Sequence, residues 1–411
     1  RHGGRQRGRF VPGPDRANIL YQWGEAIAAR AEPLAQAIAR EVGKPIGEAR
    51  GEVARAVVIC RYFAGEAVRE SGEVIPAQLP DTTQYTVHDP LGVVALITPW
   101  NFPVAIPIWK AAPAIAFGNT VVLKPSEHSG AVTALLAETA RDAKLPDGVF
   151  NVVYGVGRSG AAVIALSDVR GISFTGSAAG GAKVQVAAAA RQVPCQAEMG
   201  GKNVVIVAAD ADLDRAARLV AAGAFRYAGQ KCTATSRVIV VAPVMDSFLA
   251  RLDAAMAQLP LGPVSDPASA IGPLISEAAH ARVTEAITSA GLAPDFAARI
   301  PGSEAWQHGN WLAPQLFRLR DASHRLAREE LFAPVLVALE AGDLDHALTL
   351  ANDTPYGLSA SLFTRDLHAA FDYIRRIEVG LVRVNGDTTG VDPHAPFGGV
   401  KGSSSGSREQ G

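Results

Sequence analysis

Cysteine is scarce in this chain, with three in 411 residues, at positions 60, 195 and 232. They share no metal-ligand spacing and cannot all pair, which excludes a disulfide framework and a zinc site and implies a reducing, cytoplasmic setting. Net charge is nearly absent, at −1, so nothing in the balance favours nucleic acid or an anionic membrane surface as partner. No apolar run is long enough to span a bilayer. The basic opening, "RHGGRQRGR", lacks the apolar segment of a secretory signal and reads as a disordered terminus. Internal repeats and long low-complexity linkers are missing as well.

What is present fits a soluble globular protein, since 48% of residues are apolar and 19% charged. A chain of 411 residues exceeds one ordinary core, so two large domains are expected. The first hundred residues read as helices, in "ANILYQWGEAIAARAEPLAQAIAREVGKP" and "GEVARAVVICRYFAGEAVRE". Apolar strands then alternate with helices: "GVVALI", "NTVVLKPS", "SGAVTALLAETARDAK" begun by Ser129, "VFNVVYG", "VRGISFTG", and an Ala-rich helix capped by Ser177. That alternation implies an α/β fold with a mostly parallel sheet covered on both faces. It resumes after Gly200–Gly201, where the natural boundary lies, with "KNVVIVAAD" and "SRVIVVAP".

Several stretches carry chemistry. "NVVYGVGRSGAA" holds Gly155, Gly157 and Gly160 in a G-x-G-x-x-G, which without a well-placed acid downstream reads as a structural turn. "GISFTGSAAGG" is open between a phosphate-facing helix start and an ordinary cap at Ser177. In "TPWNFP" two prolines pin Asn101 at a strand end, where open α/β sheets keep their ligand crevice, and a fixed amide can serve a developing oxyanion. Glu198, in "QAEMGGKN", suits a half-buried general base, with a salt bridge to Lys202 as the plainer alternative. Cys232, in "AFRYAGQKCTATSR", sits among small polar residues rather than the apolar neighbours of Cys60, as a reachable nucleophile would. Cys195 reads as inert. Nucleophile, base and amide donor together suit covalent attack on a carbonyl, and a reactive thiol there requires a lowered pKa.

These stretches, with "KPSE", "REELFAPV", "NDTPYGLSA" and "PFGGVKGSSSGSREQG", make the chain resemble the aldehyde dehydrogenase superfamily over nearly its whole length. The resemblance implies a Rossmann-type cofactor domain (1–79 and 91–199), an α/β catalytic domain (200–393) and a small bridging or oligomerisation element (80–90 and 394–411). It implies Cys232 as nucleophile, Glu198 as base, and Asn101 with the Cys232 backbone N–H as oxyanion hole. It places NAD or NADP against Trp100, Lys124, Ser126, Glu127, Phe174, Gly176, Ser177, Met199, Glu330 and Phe332. Glu127 suits the two ribose hydroxyls of NAD, whereas Lys124 and Ser126 suit a 2′-phosphate. No metal is implied.

Phe102, Trp109 and Arg226 are the residues implied to face substrate. Arg226 lies six positions before Cys232, where many family members that take apolar aldehydes carry an aromatic. A guanidinium there suits a distal carboxylate; the alternative is a solvated arginine at a helix end. The segments around Glu198, Cys232 and the C-terminus are most similar to the branch that oxidises α-ketoglutaric semialdehyde (2,5-dioxovalerate), with succinic semialdehyde the nearest competitor. A small-molecule aldehyde is thus the expected partner, with no nucleic acid or membrane, in a homodimer or homotetramer. The sequence starts inside what resembles the family's N-terminal helices and stops at "SREQG", so the C-terminal pairing strand is expected to be missing. The rival expectations are a shortened, catalytically silent nucleotide-binding relative and an acylating enzyme that passes its thioester to coenzyme A, which Glu198 argues against.

Overall fold

Apolar residues at positions 20, 23, 27, 34, 38 and 42 put Leu20, Trp23, Ile27, Leu34, Ile38 and Val42 on one buried stripe. In the computed structural model, which describes residues 11–69, 72–298 and 309–409, that stripe spans two helices, Gly13–Ala29 and Ala31–Val42. The sequence pattern reads as one. Pro33 explains the break: within a continuous helix its ring would strike the carbonyl four residues back, whereas in a first turn it is tolerated. Gly43 ends the second helix in the left-handed region, φ 68°, and a third helix follows over Ile46–Glu66. The basic opening, residues 1–9, and the ends of several expected domain ranges lie outside the described residues.

A short hairpin comes next, β1 (Val74–Ile75) with β2 (Gln84–Tyr85). Five strands then build one sheet: β3 (Val93–Ile97), β4 (Thr120–Lys124), β5 (Phe150–Val152), β6 (Val169–Thr175) and β7 (Cys195–Glu198). Between Glu198 and Val204 the chain leaves it for a second sheet with β8 (Val204–Val207), β9 (Arg237–Val241), β10 (Phe296–Ala297), β11 (Gln315–Leu319) and β12 (Val335–Ala341). Beyond β13 (Tyr356–Gly357), strands β14 (Ser359–Phe363) and β15 (Leu381–Val384) complete that second sheet. The chain then doubles back, β16 (Val400–Lys401) pairing with β13 and β17 (Ser404–Ser405) with β7.

Strand order is β17-β7-β6-β3-β4-β5 in the first sheet and β10-β11-β12-β9-β8-β14-β15 in the second. All pairs are parallel except β17/β7 and β10/β11, so the fold is the α/β arrangement expected. Strands such as Val204–Val207, buried at every position, read as unbroken apolar runs because helices cover both faces. In the first sheet the chain runs outward from β3 to β4 and β5, then returns to place β6 on the other side of β3, which opens a crevice at the strand ends. Among the described residues, no helix is long and apolar enough to cross a membrane.

One cap differs from expectation. The helix Gly130–Asp142 begins after Ser129, yet the Ser129 hydroxyl donates to the Ser126 carbonyl. The Glu41 carboxylate instead accepts the free N–H groups of Ala131 and Val132, both at 2.8 Å. A full charge arriving from a packed neighbour helix outcompetes a local hydroxyl at a positive helix end.

Candidate active site

The C-terminal ends of the first sheet carry most of the candidate residues: Trp100 and Asn101 follow β3, Lys124 ends β4, Gly176 and Ser177 follow β6, and Glu198 ends β7. Asn101 is 3% exposed, and its Nδ2 donates to the Gln230 carbonyl at 3.1 Å, while its Oδ1 has no partner among the described residues. Gln230 is itself fixed, accepting from the Ile275 N–H at 2.9 Å and donating to the Pro273 carbonyl at 3.2 Å. The asparagine is thereby tied across the crevice to the cysteine loop.

That loop begins with an unusual turn. Tyr227, Ala228 and Gly229 take φ values of 56°, 52° and 66°, three left-handed residues in succession, two of them not glycine. Such strain persists only where surroundings over-determine it. Here the Tyr227 N–H donates to the Ala270 carbonyl at 2.9 Å, and a Cβ at Gly229 would meet the Ala224 carbonyl oxygen at 2.9 Å. Downstream, Asn203 donates through Nδ2 to the carbonyls of Cys232 and Ala234, both at 2.8 Å, and accepts from the Ser359 N–H. The Thr388 hydroxyl donates to the Thr233 carbonyl at 2.7 Å. The thiol is thus held through its backbone, by residues that sequence reading did not single out.

Electrostatics at Cys232 depart from the expected lowered thiol. Burial, followed by the carboxylates of Glu330, Glu198 and Glu409, pushes it up to about 12. The Thr233 backbone N–H pulls the other way but does not outweigh them, and Lys231, next in sequence, is paired with Glu48 at 2.8 Å. The resting sulfur is a neutral thiol at neutral pH, and forming its anion requires a proton acceptor.

Glu198 is 2% exposed, and burial, then the neighbouring Glu409 carboxylate, raises it to about 8. It accepts from the Ser404 hydroxyl and, at 3.2 Å, from Gln196 Nε2. The salt bridge to Lys202 does not form, because Lys202 Nζ donates to the Glu329 carbonyl at 2.7 Å. Glu409 pairs instead with Lys110, which also donates to Ser173 Oγ at 2.8 Å and Gln196 Oε1 at 3.3 Å. Neither Ser404 nor Glu409 is legible as a site residue in the sequence, since both approach Glu198 only because β17 pairs with β7.

Around the crevice, Ser177 Oγ caps the helix Ala178–Ala190 by accepting from the Gly180 N–H at 3.2 Å. The Phe174 ring and the Met199 sulfur fill the space above that first turn, where a Cβ at Gly181 would strike Met199. Lys124 Nζ lies 3.5 Å from Glu127, whose carboxylate is half exposed and is held below its usual range by its own backbone N–H, with Lys124 contributing. Ser126 Oγ accepts from the His128 N–H at 3.2 Å. From the second sheet, Glu330 accepts the Gly201 N–H at 3.1 Å through one oxygen, and burial raises its carboxyl to about 7. A Cβ at Gly200 would overlap that carboxylate, so any other residue there displaces the Glu330 side chain from this position. Phe332, at φ 56°, meets Trp100 edge-on with centroids 5.7 Å apart. Gly155 turns at φ 140° against Ser159, and Gly160 packs on Ile97, so this glycine cluster serves the turn.

A cavity of about 710 Å³ reaches from Cys232 and Glu198 past Phe102 and Trp109 to Arg226. Arg226 caps the end of helix Leu213–Phe225, its backbone N–H donating to the Ala222 carbonyl. Its guanidinium makes no hydrogen bond or close ion pair among the described residues, and the Glu48 carboxylate across the cavity attracts it at longer range. The residue is exposed and lines the cavity at once. Helix Ile46–Glu66 forms the opposite wall and brings a second guanidinium, Arg55, which also donates to the Val391 carbonyl.

Residues 6–411 match the model of the aldehyde dehydrogenase family. The chain is 42% identical over 408 residues to the α-ketoglutaric semialdehyde dehydrogenase of Bacillus subtilis (strain 168), covering 98% of this chain and 83% of that one. It is 43% identical over 408 residues to the α-ketoglutarate semialdehyde dehydrogenase of Haloferax volcanii, with 98% and 84% covered. Among solved structures, the NAD-dependent aldehyde dehydrogenase of Sinorhizobium meliloti superposes with a TM-score of 0.91 at 38% identity, over 97% of this chain and 80% of that one.

Proposed function

Because this chain belongs to the aldehyde dehydrogenase family, we propose that it oxidises an acidic semialdehyde, α-ketoglutaric semialdehyde foremost, to the carboxylic acid with NAD or NADP. The observation that carries the substrate is one cavity lined by Cys232, Glu198 and the guanidinium of Arg226, which no hydrogen bond from the described residues occupies. The names of both curated relatives point the same way.

Cys232 gives its proton to a base and its sulfur adds to the aldehyde carbon. The new oxyanion is met by the second N–H of Asn101, whose first is committed to Gln230, and by the Cys232 backbone N–H. Loss of hydride from that adduct leaves a thioester on Cys232. Glu198 then takes a proton from water, the water oxygen adds to the thioester carbon, and the C–S bond breaks to release the acid and a thiolate, to which Glu198 returns its proton. Bound NAD or NADP supplies the hydride acceptor. The residues fit such a group: Glu330 keeps one oxygen without a hydrogen bond among the described residues, and Lys124 and Glu127 present a cation and a carboxylate together at the crevice edge. Phe332 and Trp100 offer an aromatic corner for a flat ring.

For Arg226→Leu, KM for α-ketoglutaric semialdehyde is expected to rise roughly 10- to 100-fold, the worth of a charge-assisted hydrogen bond. KM for pentanal should change less than about twofold on the same scale. Steady-state kinetics over a panel of α-ketoglutaric, succinic and neutral aldehydes with both cofactors decides it. Equal losses for acidic and neutral aldehydes would remove Arg226 from the substrate pocket, and a preference for succinic semialdehyde would replace the substrate.

A further inference from the structure

Lys44 has no contact with solvent. Gly43 turns the chain at φ 68° just before it and sends it inward. Its ammonium pairs with Glu52, itself 4% exposed. The other oxygen of Glu52 accepts the N–H groups of Val104 at 2.8 Å and Ala105 at 3.0 Å, the first donors of helix Ala105–Ala116. That carboxylate therefore anchors the helix into which the Asn101 loop runs.

The same ammonium lies 3.8 Å from the Phe102 ring centroid and 4.6 Å from that of Tyr227. These two rings meet edge to face, 6.4 Å apart. Phe102 follows Asn101 in sequence, and Tyr227 opens the left-handed turn that leads to Cys232. One cation thus touches both loops. A buried ion pair is weak evidence for stability, because apolar residues of similar volume often do as well in its place. What such residues would not supply is a charge attracting two ring faces at once.

We propose that Lys44, held by Glu52, is a positioning residue that sets the separation of the Asn101 amide from the Cys232 sulfur by gripping Phe102 and Tyr227 together. It touches neither substrate nor cofactor, and the inference rests on the roles given above to Asn101 and Cys232. Misplacement by about an ångström costs up to about 100-fold in rate. The test is a double-mutant cycle on kcat with Lys44→Met, Asn101→Ala and both, using α-ketoglutaric semialdehyde and, independently of that assignment, propanal.

Lys44→Met is expected to lower kcat about 30-fold with KM changed less than about twofold, and to lower it less than about threefold once Asn101 is alanine. Equal losses in both backgrounds, or an unchanged kcat, would overturn the positioning role while leaving the chemistry intact. If Asn101→Ala alone costs nothing, the oxyanion assignment fails instead. Should Lys44→Met be insoluble, Lys44→Met with Glu52→Gln removes both charges while a carbonyl still accepts from Val104 and Ala105, and is read the same way.

Discussion

Replacing Cys232 by alanine is expected to cut aldehyde oxidation by roughly 10⁴-fold or more, on the scale seen when a covalent nucleophile is removed. Affinity for NAD or NADP should change less than about twofold on that scale, because the Cys232 side chain is not among the groups expected to hold the dinucleotide. The fold should tolerate the change. Asn203 grips the carbonyl of residue 232, not its side chain, so the loop keeps its anchor when the sulfur goes. The sulfur already borders the open cavity, so its loss widens that space by one atom rather than creating a void in the core. Stopped-flow NAD(P)H absorbance and cofactor titration by tryptophan fluorescence make the comparison. Substantial turnover in the alanine variant would end the thioester mechanism, and loss of cofactor affinity in step with activity would mark Cys232 as structural.

Glu198→Gln should separate the two halves of the reaction. The first turnover is expected to give a burst approaching one NAD(P)H per site, after which steady-state release falls by roughly 10²- to 10⁴-fold, the usual worth of a general base. Glutamine keeps the size of the side chain and can still accept from Ser404. The raised thiol sharpens this test. If Glu198 is also the acceptor for the Cys232 proton, the burst itself slows in the variant, and the ratio of the two losses reports how the base divides its work. A variant with neither burst loss nor steady-state loss would remove Glu198 from the chemistry.

The pH profile follows from the same carboxylate. Its value of about 8 lies above the ordinary 4.5, so the group is mostly protonated below 8 and an active base only above it. Steady-state kcat in the native chain should therefore climb about tenfold per pH unit below 8 and flatten above it. The glutamine variant should lose that limb. Stability carries the opposite slope: between about 4.5 and 8 the folded chain binds a proton that the unfolded chain has released, so this site's contribution falls as pH rises through that window.

Much of the fold was legible because its determinants are local. Alternating strand and helix patterns and the Ser177 cap depend on neighbours within a few residues. Legibility failed where a distant group decides. Glu41 supplanted Ser129 as a cap from another helix. The thiol was expected to be lowered, yet carboxylates on other segments, Glu330, Glu198 and Glu409, push it up. Arg55 and Lys44 face the site only through tertiary packing, and nothing in their own segments names a partner. Pro33 is the exception, a break visible in the sequence once its carbonyl clash is weighed.

The antiparallel pairing of Ser404–Ser405 with the strand of Glu198 also bears on how the protein is made. A ribosome emits Glu198 and Cys232 long before residues 404–409 emerge, and early parts of a chain fold first. Until that segment docks, the carboxylate lacks the hydroxyl of Ser404 and the acidic Glu409 that adds to the effect of burial. A nascent chain therefore carries its thiol with the base untuned until residues 404–409 dock against β7.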